Sequence, residues 1–314
     1  MKRVFFIIAM VFACKGLQAQ QRITGGFPIN ITDAPWQVLL SFDNDYGCGG
    51  SIIAPNYILT ARHCVRWKSP NSVKVIAGVT CEDEIDDSNT FDVSNIILYP
   101  DPNVDTALLQ LSSNITYNNS RQPVNYWSSA DNSLYNAGNT ARVSGWGWLT
   151  PNGYDPADCL QAVNLFIITN QQASNMLCVN LAAHEVATKG NGTEQQGHCH
   201  GDSGGPLTTI INSNERALIG VVSWSNPDCW GNYKNLTSVY VRVSHVINWI
   251  ESFTCITNFR DKIVTTNTTV TSCGDINIQY VKVQNGAKLT LDAAGEVNII
   301  SDFEVDLGSE FEIK

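Results

Sequence analysis

Short apolar runs separated by Gly, Asn, Asp and Pro dominate the chain from Ile23 to about Ile250. Trp36–Ser41, Ser51–Leu59, Val73–Ala77 and Leu218–Ser223 are such runs, each with strand composition and turn residues beside it. Helical periodicity is nearly absent, so the pattern predicts an all-β unit, a barrel or a sandwich. The exception is Val243–Phe253, where Val243, Val246, Ile247 and Ile250 share one face of a helix that closes this unit. After Cys255 strict alternation sets in, as in Lys288-Leu-Thr-Leu291 and Phe303-Glu-Val-Asp306. Val281–Leu291 aligns with Phe303–Ile313 at a fixed offset, apolar positions and glycine matching, which predicts two rungs of a small β-repeat appendage.

The first residues follow another pattern. Lys2 and Arg3 precede an apolar run from Phe5 to Ala13, and a small polar stretch ends at Leu17-Gln18-Ala19. That is the layout of a secretory signal peptide. The run is about half of the ~20 apolar residues needed to cross a bilayer, so no transmembrane span is expected. Val11-Phe12-Ala13-Cys14 also loosely resembles a bacterial lipoprotein cleavage site.

Export changes how the cysteines are read. Ten cysteines without a CxxC pair point to disulfides rather than metal ligands, and losing Cys14 leaves nine, so at least one is free or paired outside the chain. The first 22 positions hold Lys2, Arg3, Lys15 and Arg22 and no acid, so their removal moves the net charge from −10 to −14. Such a chain should not favour nucleic acid or anionic membranes.

Three separated segments supply the parts that amide hydrolysis needs: a nucleophile, a base, a group to orient the base, and oxyanion donors. Gly201-Asp202-Ser203-Gly204-Gly205-Pro206 presents one serine in a glycine-rich turn, where consecutive N–H groups can point into one concavity. Ser203 is the candidate nucleophile, and the N–H groups of Gly201 and Ser203 are candidate oxyanion donors. Leu59-Thr60-Ala61-Arg62-His63-Cys64 ends an apolar run with a histidine, and Asp105-Thr106-Ala107-Leu108-Leu109-Gln110-Leu111 places an aspartate before another. Each segment alone reads more simply as a turn or strand end. Together, in the order His, Asp, Ser, they match the catalytic template of the chymotrypsin type.

On these residues the chain resembles the trypsin-like serine proteases. The likeness runs from Arg22-Ile-Thr-Gly-Gly26 through Cys48-Gly-Gly-Ser51, the His63, Asp105 and Ser203 segments, Ser144-Gly-Trp-Gly147, Val222-Ser-Trp224 and Val239-Tyr-Val-Arg-Val243. It implies a double six-stranded β-barrel with a C-terminal helix and the site between the barrels. The expected division is a signal peptide over 1–19, a pro-segment over 20–22, a protease domain over 23–253 and a β-repeat domain over 256–314. The last segment, on NGAKLTLDA and DFEVDLGSEFEIK, also resembles β-repeat tails of exported Bacteroidetes-type proteins.

The resemblance further implies roles. His63 is general base and then acid, Asp105 holds its tautomer, and Ser203 forms the acyl-enzyme without any cofactor or metal. Ser223 braces Asp105, and the backbone from Ser223 through Trp224 to Ser225 pairs with extended substrate. Cleavage at Arg22-Ile23 frees an amino group to pair with Asp202 and order the oxyanion loop. Cys48–Cys64 and Cys199–Cys229 match family disulfides, whereas Cys81–Cys159 and Cys255–Cys273 rest on no family pattern and Cys178 is left over. The expected partners are protein or peptide substrates, an activating protease and a proteinaceous inhibitor, in a secreted or cell-surface setting.

The primary pocket departs from the trypsin pattern. Its base maps to Gly197 and its walls to Ser225 and Ser238, with His198 beside the base and His200 near the mouth. Without an aspartate at the base, a Lys or Arg preference is not expected. Two readings stay open: an apolar or small pocket narrowed by serines, or an acid-reading pocket with His198 as counter-charge. Glutamate-specific members carry their histidine at the position of Val222. A competing class is a protease-fold binding protein or adhesin acting through the C-terminal repeats.

Overall fold

The computed structural model describes residues 25–43, 45–126, 132–148, 156–191, 196–212, 215–225 and 236–314. The expected signal peptide, pro-segment and Arg22-Ile23 bond, and Cys14 and Cys229, lie outside them. A two-residue strand, β1 (Phe27–Pro28), leads into six strands of alternating or continuous apolar sequence: β2 (Gln37–Phe42), β3 (Asp45–Ala54), β4 (Tyr57–Thr60), β5 (Val73–Ala77), β6 (Thr90–Leu98) and β7 (Ala107–Leu111). They close as an antiparallel barrel in the order β2-β3-β4-β7-β6-β5. Strand β5 shows why: Val73, Val75 and Ala77 are buried while Lys74 points out and pairs with Asp92 on β6. The run Ser51–Leu59 is broken at Pro55-Asn56, where Pro55 has no N–H to give a ladder. Their carbonyls accept instead from Ile115 (2.7 Å) and Leu111 (2.8 Å).

After the short β8 (Asn125–Tyr126) come β9 (Thr140–Gly145), β10 (Gln161–Ile168), β11 (Glu185–Lys189), β12 (Pro206–Asn212), β13 (Glu215–Ser225) and β14 (Thr237–Arg242). Running β9-β10-β11-β14-β13-β12 and back to β9, they form a second closed antiparallel barrel, flanked by β1 on β10 and β8 on β13. Its core is Val143, Val163, Leu165, Ile167, Leu207, Ile219, Val222 and Tyr240.

Three helices follow from local signals. The one-turn α1 (Arg62–Val65) carries the candidate base. Helix α2 (Asn170–Leu177) was invisible to periodicity because only Ala173 on it is buried, yet Thr169 and Gln172 form a capping box at its start. Helix α3 (Val243–Thr254) buries the predicted Val243, Val246, Ile247 and Ile250. These four join one cluster with first-barrel residues and with Leu218, Val221 and Val241 of the second, so α3 ties the barrels together. Burying each such side chain is worth roughly 1.5–3 kcal/mol relative to exposure.

Past Cys255, bonded to Cys273, run β15 (Ile256–Val264), β16 (Thr268–Ser272), β17 (Asp275–Val283), β18 (Lys288–Ala293), β19 (Val297–Val305) and β20 (Glu310–Ile313). They build two parallel sheets, β15-β17-β19 and β16-β18-β20, over a core of Val264, Ile276, Ile278, Val281, Val283, Leu289 and Leu291. Register pairs Val281 with Phe303 and Lys288 with Glu310, the alignment visible in the sequence. There are three rungs rather than two. The first pairs Lys262 with Val281 but Thr268 with Leu289, so its spacing differs and a fixed-offset comparison passes over it. Arg260 is fully buried where these strands meet the barrels, with Nη2 3.4 Å from Asn125 Oδ1 and 3.5 Å from Asn258 Oδ1. Beside it Gln279 Nε2 donates to Glu215 Oε2 (3.2 Å).

Candidate active site

Each candidate group sits at the end of a barrel strand. His63 follows β4 on α1, stapled by the Cys48–Cys64 disulfide to β3. Asp105 precedes β7, and its neighbour Thr106, buried, donates through Oγ1 to Thr60 O (3.1 Å) and so locks the two strand ends together. Asp105 Oδ1 accepts from the His63 backbone N–H (2.8 Å). Its Oδ2 lies 2.7 Å from His63 Nδ1 and accepts from Ser223 Oγ at 2.6 Å. A carboxylate against Nδ1 favours the tautomer with its proton there and leaves the Nε2 lone pair to act as a base. Burial opposes ionisation of Asp105, but hydrogen bonds and charge from His63 and the Ser223 hydroxyl outweigh it, holding the carboxyl below its ordinary range.

Ser203 belongs to the turn before β12, in which Gly201 (φ +93°) and Gly204 (φ +80°) take conformations that side chains avoid. Its carbonyl accepts from Gly49 N (2.7 Å) and lies 3.6 Å from Cys64 Sγ, itself 3.8 Å from His63 Nε2. The turn is pressed against the first barrel: a Cβ on Gly204 would lie 2.2 Å from Thr60 Oγ1. Serine and histidine thus meet at one disulfide on the seam between the barrels. Among the described residues no hydrogen bond joins Ser203 Oγ to His63 Nε2.

Asp202 is fully buried and accepts from Gly147 N and Cys199 N, both at 2.9 Å. Gly145 and Gly147 make room for it, since added Cβ atoms would come within 2.2 and 2.5 Å of its carboxylate. Arg22 and Ile23 lie outside the described residues, as does Cys229, the family partner of the buried Cys199. Disulfides Cys81–Cys159 and Cys255–Cys273 are formed, and Cys178 carries an exposed thiol. Cys48, His63 and Cys64 bring three ligand-type atoms within 4.8 Å, but the two sulfurs are bonded to each other and offer no thiolate to a metal.

Among the pocket residues, a Cβ on Gly197 would meet Leu236 Cδ2 at 2.5 Å and Ser238 Oγ at 2.7 Å, so any larger residue closes the base. Ser238 faces Ser225 across the β13–β14 ladder. His198 is only 4% exposed, edge-on to Tyr240 at 5.3 Å, and burial drives its imidazole down to about 4 against a smaller pull from the main chain of Trp224 and Val239. Among the described residues His198 Nε2 is buried without a hydrogen-bond partner. The His200 ring packs against Trp148 in a tilted contact, centroids 4.9 Å apart. Trp224 is held by its indole N–H, which donates to Glu185 Oε1 (2.8 Å). Val222 is a core residue whose carbonyl accepts from Gly204 N (2.8 Å).

Sequence reasoning passed over Arg62, Arg66, His184 and Glu185. With His63, Asp105, Ser223 and Trp224 they line a cleft of about 430 Å³. The available signal was the arginine beside the histidine in LTARHC, where it was read only as a neighbour.

A family model described as Trypsin matches residues 23–250. Hypodermin-A of Hypoderma lineatum is 32% identical over 242 residues, covering 75% of this chain and 88% of its own. Trypsin delta of Drosophila melanogaster is 29% identical over 265 residues, 79% of this chain and 98% of its own, and trypsin alpha of the same fly is 29% identical over 278 residues, 80% and 98%.

Proposed function

Because the chain belongs to the trypsin family of serine proteases, we propose that it is a secreted endopeptidase that cleaves peptide bonds with His63, Asp105 and Ser203. The observation that carries this reading is the linked chain Ser223–Asp105–His63, joined at 2.6 and 2.7 Å and standing against the turn that holds Ser203. In the reaction Ser203 Oγ attacks the scissile carbonyl while its proton passes to His63 Nε2. Asp105 keeps the imidazole oriented and stabilises the imidazolium. The N–H groups of Gly201 and Ser203 receive the oxyanion. His63 then gives the proton to the leaving amine, and water, deprotonated by the same imidazole, frees the acyl-enzyme. Extended substrate pairs with the backbone from Ser223 to Ser225.

The primary pocket takes a small or medium neutral side chain. Gly197 supplies no carboxylate for Lys or Arg, and a buried, neutral His198 supplies no cation for Glu. Export is supported by the signal layout and by three disulfides, which persist in oxidising compartments. Cleavage after Arg22 by an activating protease gives Asp202 its ionic partner. The test is Ser203→Ala in full-length protein activated by limited cleavage after Arg22. Fluorophosphonate labelling should vanish and turnover should fall by several orders of magnitude. Near-normal peptidase activity in this variant would overturn the assignment.

A further inference from the structure

We propose that Arg66, backed by Arg62, selects an acidic side chain in the substrate stretch just N-terminal to the scissile bond. This rests on the protease reading above. Both arginines line the cleft that holds His63, Asp105, Ser223 and Trp224. A substrate strand laid along Ser223–Ser225 runs through that cleft, and its alternate side chains turn to opposite walls. Arg62 is fixed, its Nη1 donating to Tyr99 O at 2.8 Å. Arg66 is exposed, with its guanidinium 5.4 Å from the centre of the Trp67 ring. Among the described residues neither is in an ion pair, although the chain carries 29 acids against 19 lysines and arginines.

The carboxylates around the cleft are engaged elsewhere. Asp105 serves His63 and Ser223. Glu185 accepts from the Trp224 indole and from Ala182 N (2.7 Å), and Asp101 accepts from Asn103 in its own turn. The imidazoles of His184 and His245 face each other at 5.5 Å. The wall next to His63 therefore presents two guanidiniums whose planar donor forks match a carboxylate geometrically. A peptide Glu or Asp is the occupant this chemistry fits.

The test compares kcat/KM for peptides differing only by Glu against Gln, placed two, three or four residues before the cleaved bond, with active sites titrated by fluorophosphonate. The ratio should reach roughly three- to tenfold at one of these positions, the scale of an exposed ion pair reinforced by a second cation. It should shrink as salt rises, persist in Arg66→Lys, fall to about 1 in Arg66→Ala and invert in Arg66→Glu. Ratios of about 1 throughout, or a ratio unmoved by Arg66→Glu, would sink the proposal while cleavage of the Gln peptides, abolished by Ser203→Ala, left the protease reading standing. Failure to cleave any peptide would strike that reading and this proposal together.

Discussion

Beside Gly197 an imidazole that could have served as a counter-charge has been taken out of water. Against it stand Tyr240 and the main chain of Trp224 and Val239, and burial dominates, pushing His198 down to about 4, with the charges of His63 and His200 acting in the same direction. The sign of the consequence follows. From pH 6 to 9 the folded imidazole stays neutral, so the ratio of kcat/KM for cleavage after Glu to cleavage after Leu should be flat, and Glu poor throughout, because an unpaired buried carboxylate is costly. Any pH dependence common to both substrates cancels in the ratio. A ratio high at pH 6, collapsing by pH 9 and lost in His198→Ala would refute this. Stability carries the same sign: the unfolded imidazole titrates near 6.5, so folding stability is present above that value and is lost as pH falls towards about 4.

At the scale of elements, what was legible in the sequence was what repeats or alternates. Strand β5 and helix α3 declare themselves because one face of each is buried in a core, and Val281–Leu291 and Phe303–Ile313 because consecutive rungs reuse one pattern. The segments of His63, Asp105 and Ser203 stood out as motifs, and the fold brings all three to one seam between the barrels. Elements held by caps or by other elements stayed hidden. Helix α2 rests on the Thr169–Gln172 box rather than on an apolar stripe, and the first rung borrows Arg260 and Asn258 to meet the barrels. The acceptors of Arg260 span 125 to 258 in the chain, a contact no local pattern can reveal. Its weight can be measured. Arg260→Ala leaves Asn125 Oδ1 short of a donor, removes the cation that faces Glu215 and opens a void, so thermal or urea unfolding should show a loss of about 3–5 kcal/mol. A loss under 1 kcal/mol would mean that the junction relaxes around the gap.

Taken as one molecule, the two barrels are joined at their seam by α3 and by the Ser203 turn, behind which the second barrel cages Asp202. Gly147 N and Cys199 N hold the carboxylate of the fully buried Asp202, which in the proposed activation pairs with the amino group freed at Ile23, and breaking a buried pair of that kind costs about 3–5 kcal/mol. Arg22→Gln should therefore give a secreted, folded and inactive zymogen, checked by intact N-terminal sequence and absent turnover. Gly147→Ala should be impaired even after cleavage, since its Cβ would come 2.5 Å from the carboxylate. Full activity with an uncut Arg22-Ile23 bond would show that the oxyanion donors are ordered another way. The C-terminal rungs obey a different cooperativity. The first is clamped to the barrels by Arg260 and by the Cys255–Cys273 bond next to α3, the second is covered on both sides, and the third touches one described neighbour. A linear stack of this kind frays like a zipper with one end sewn shut: each outer rung surrenders a single interface when it opens, while the inner ones hold until their neighbour has gone. Loosening thus proceeds inward from Val297–Ile313 and stops at the seam, so the stack can breathe without the cleft beside His63 registering it.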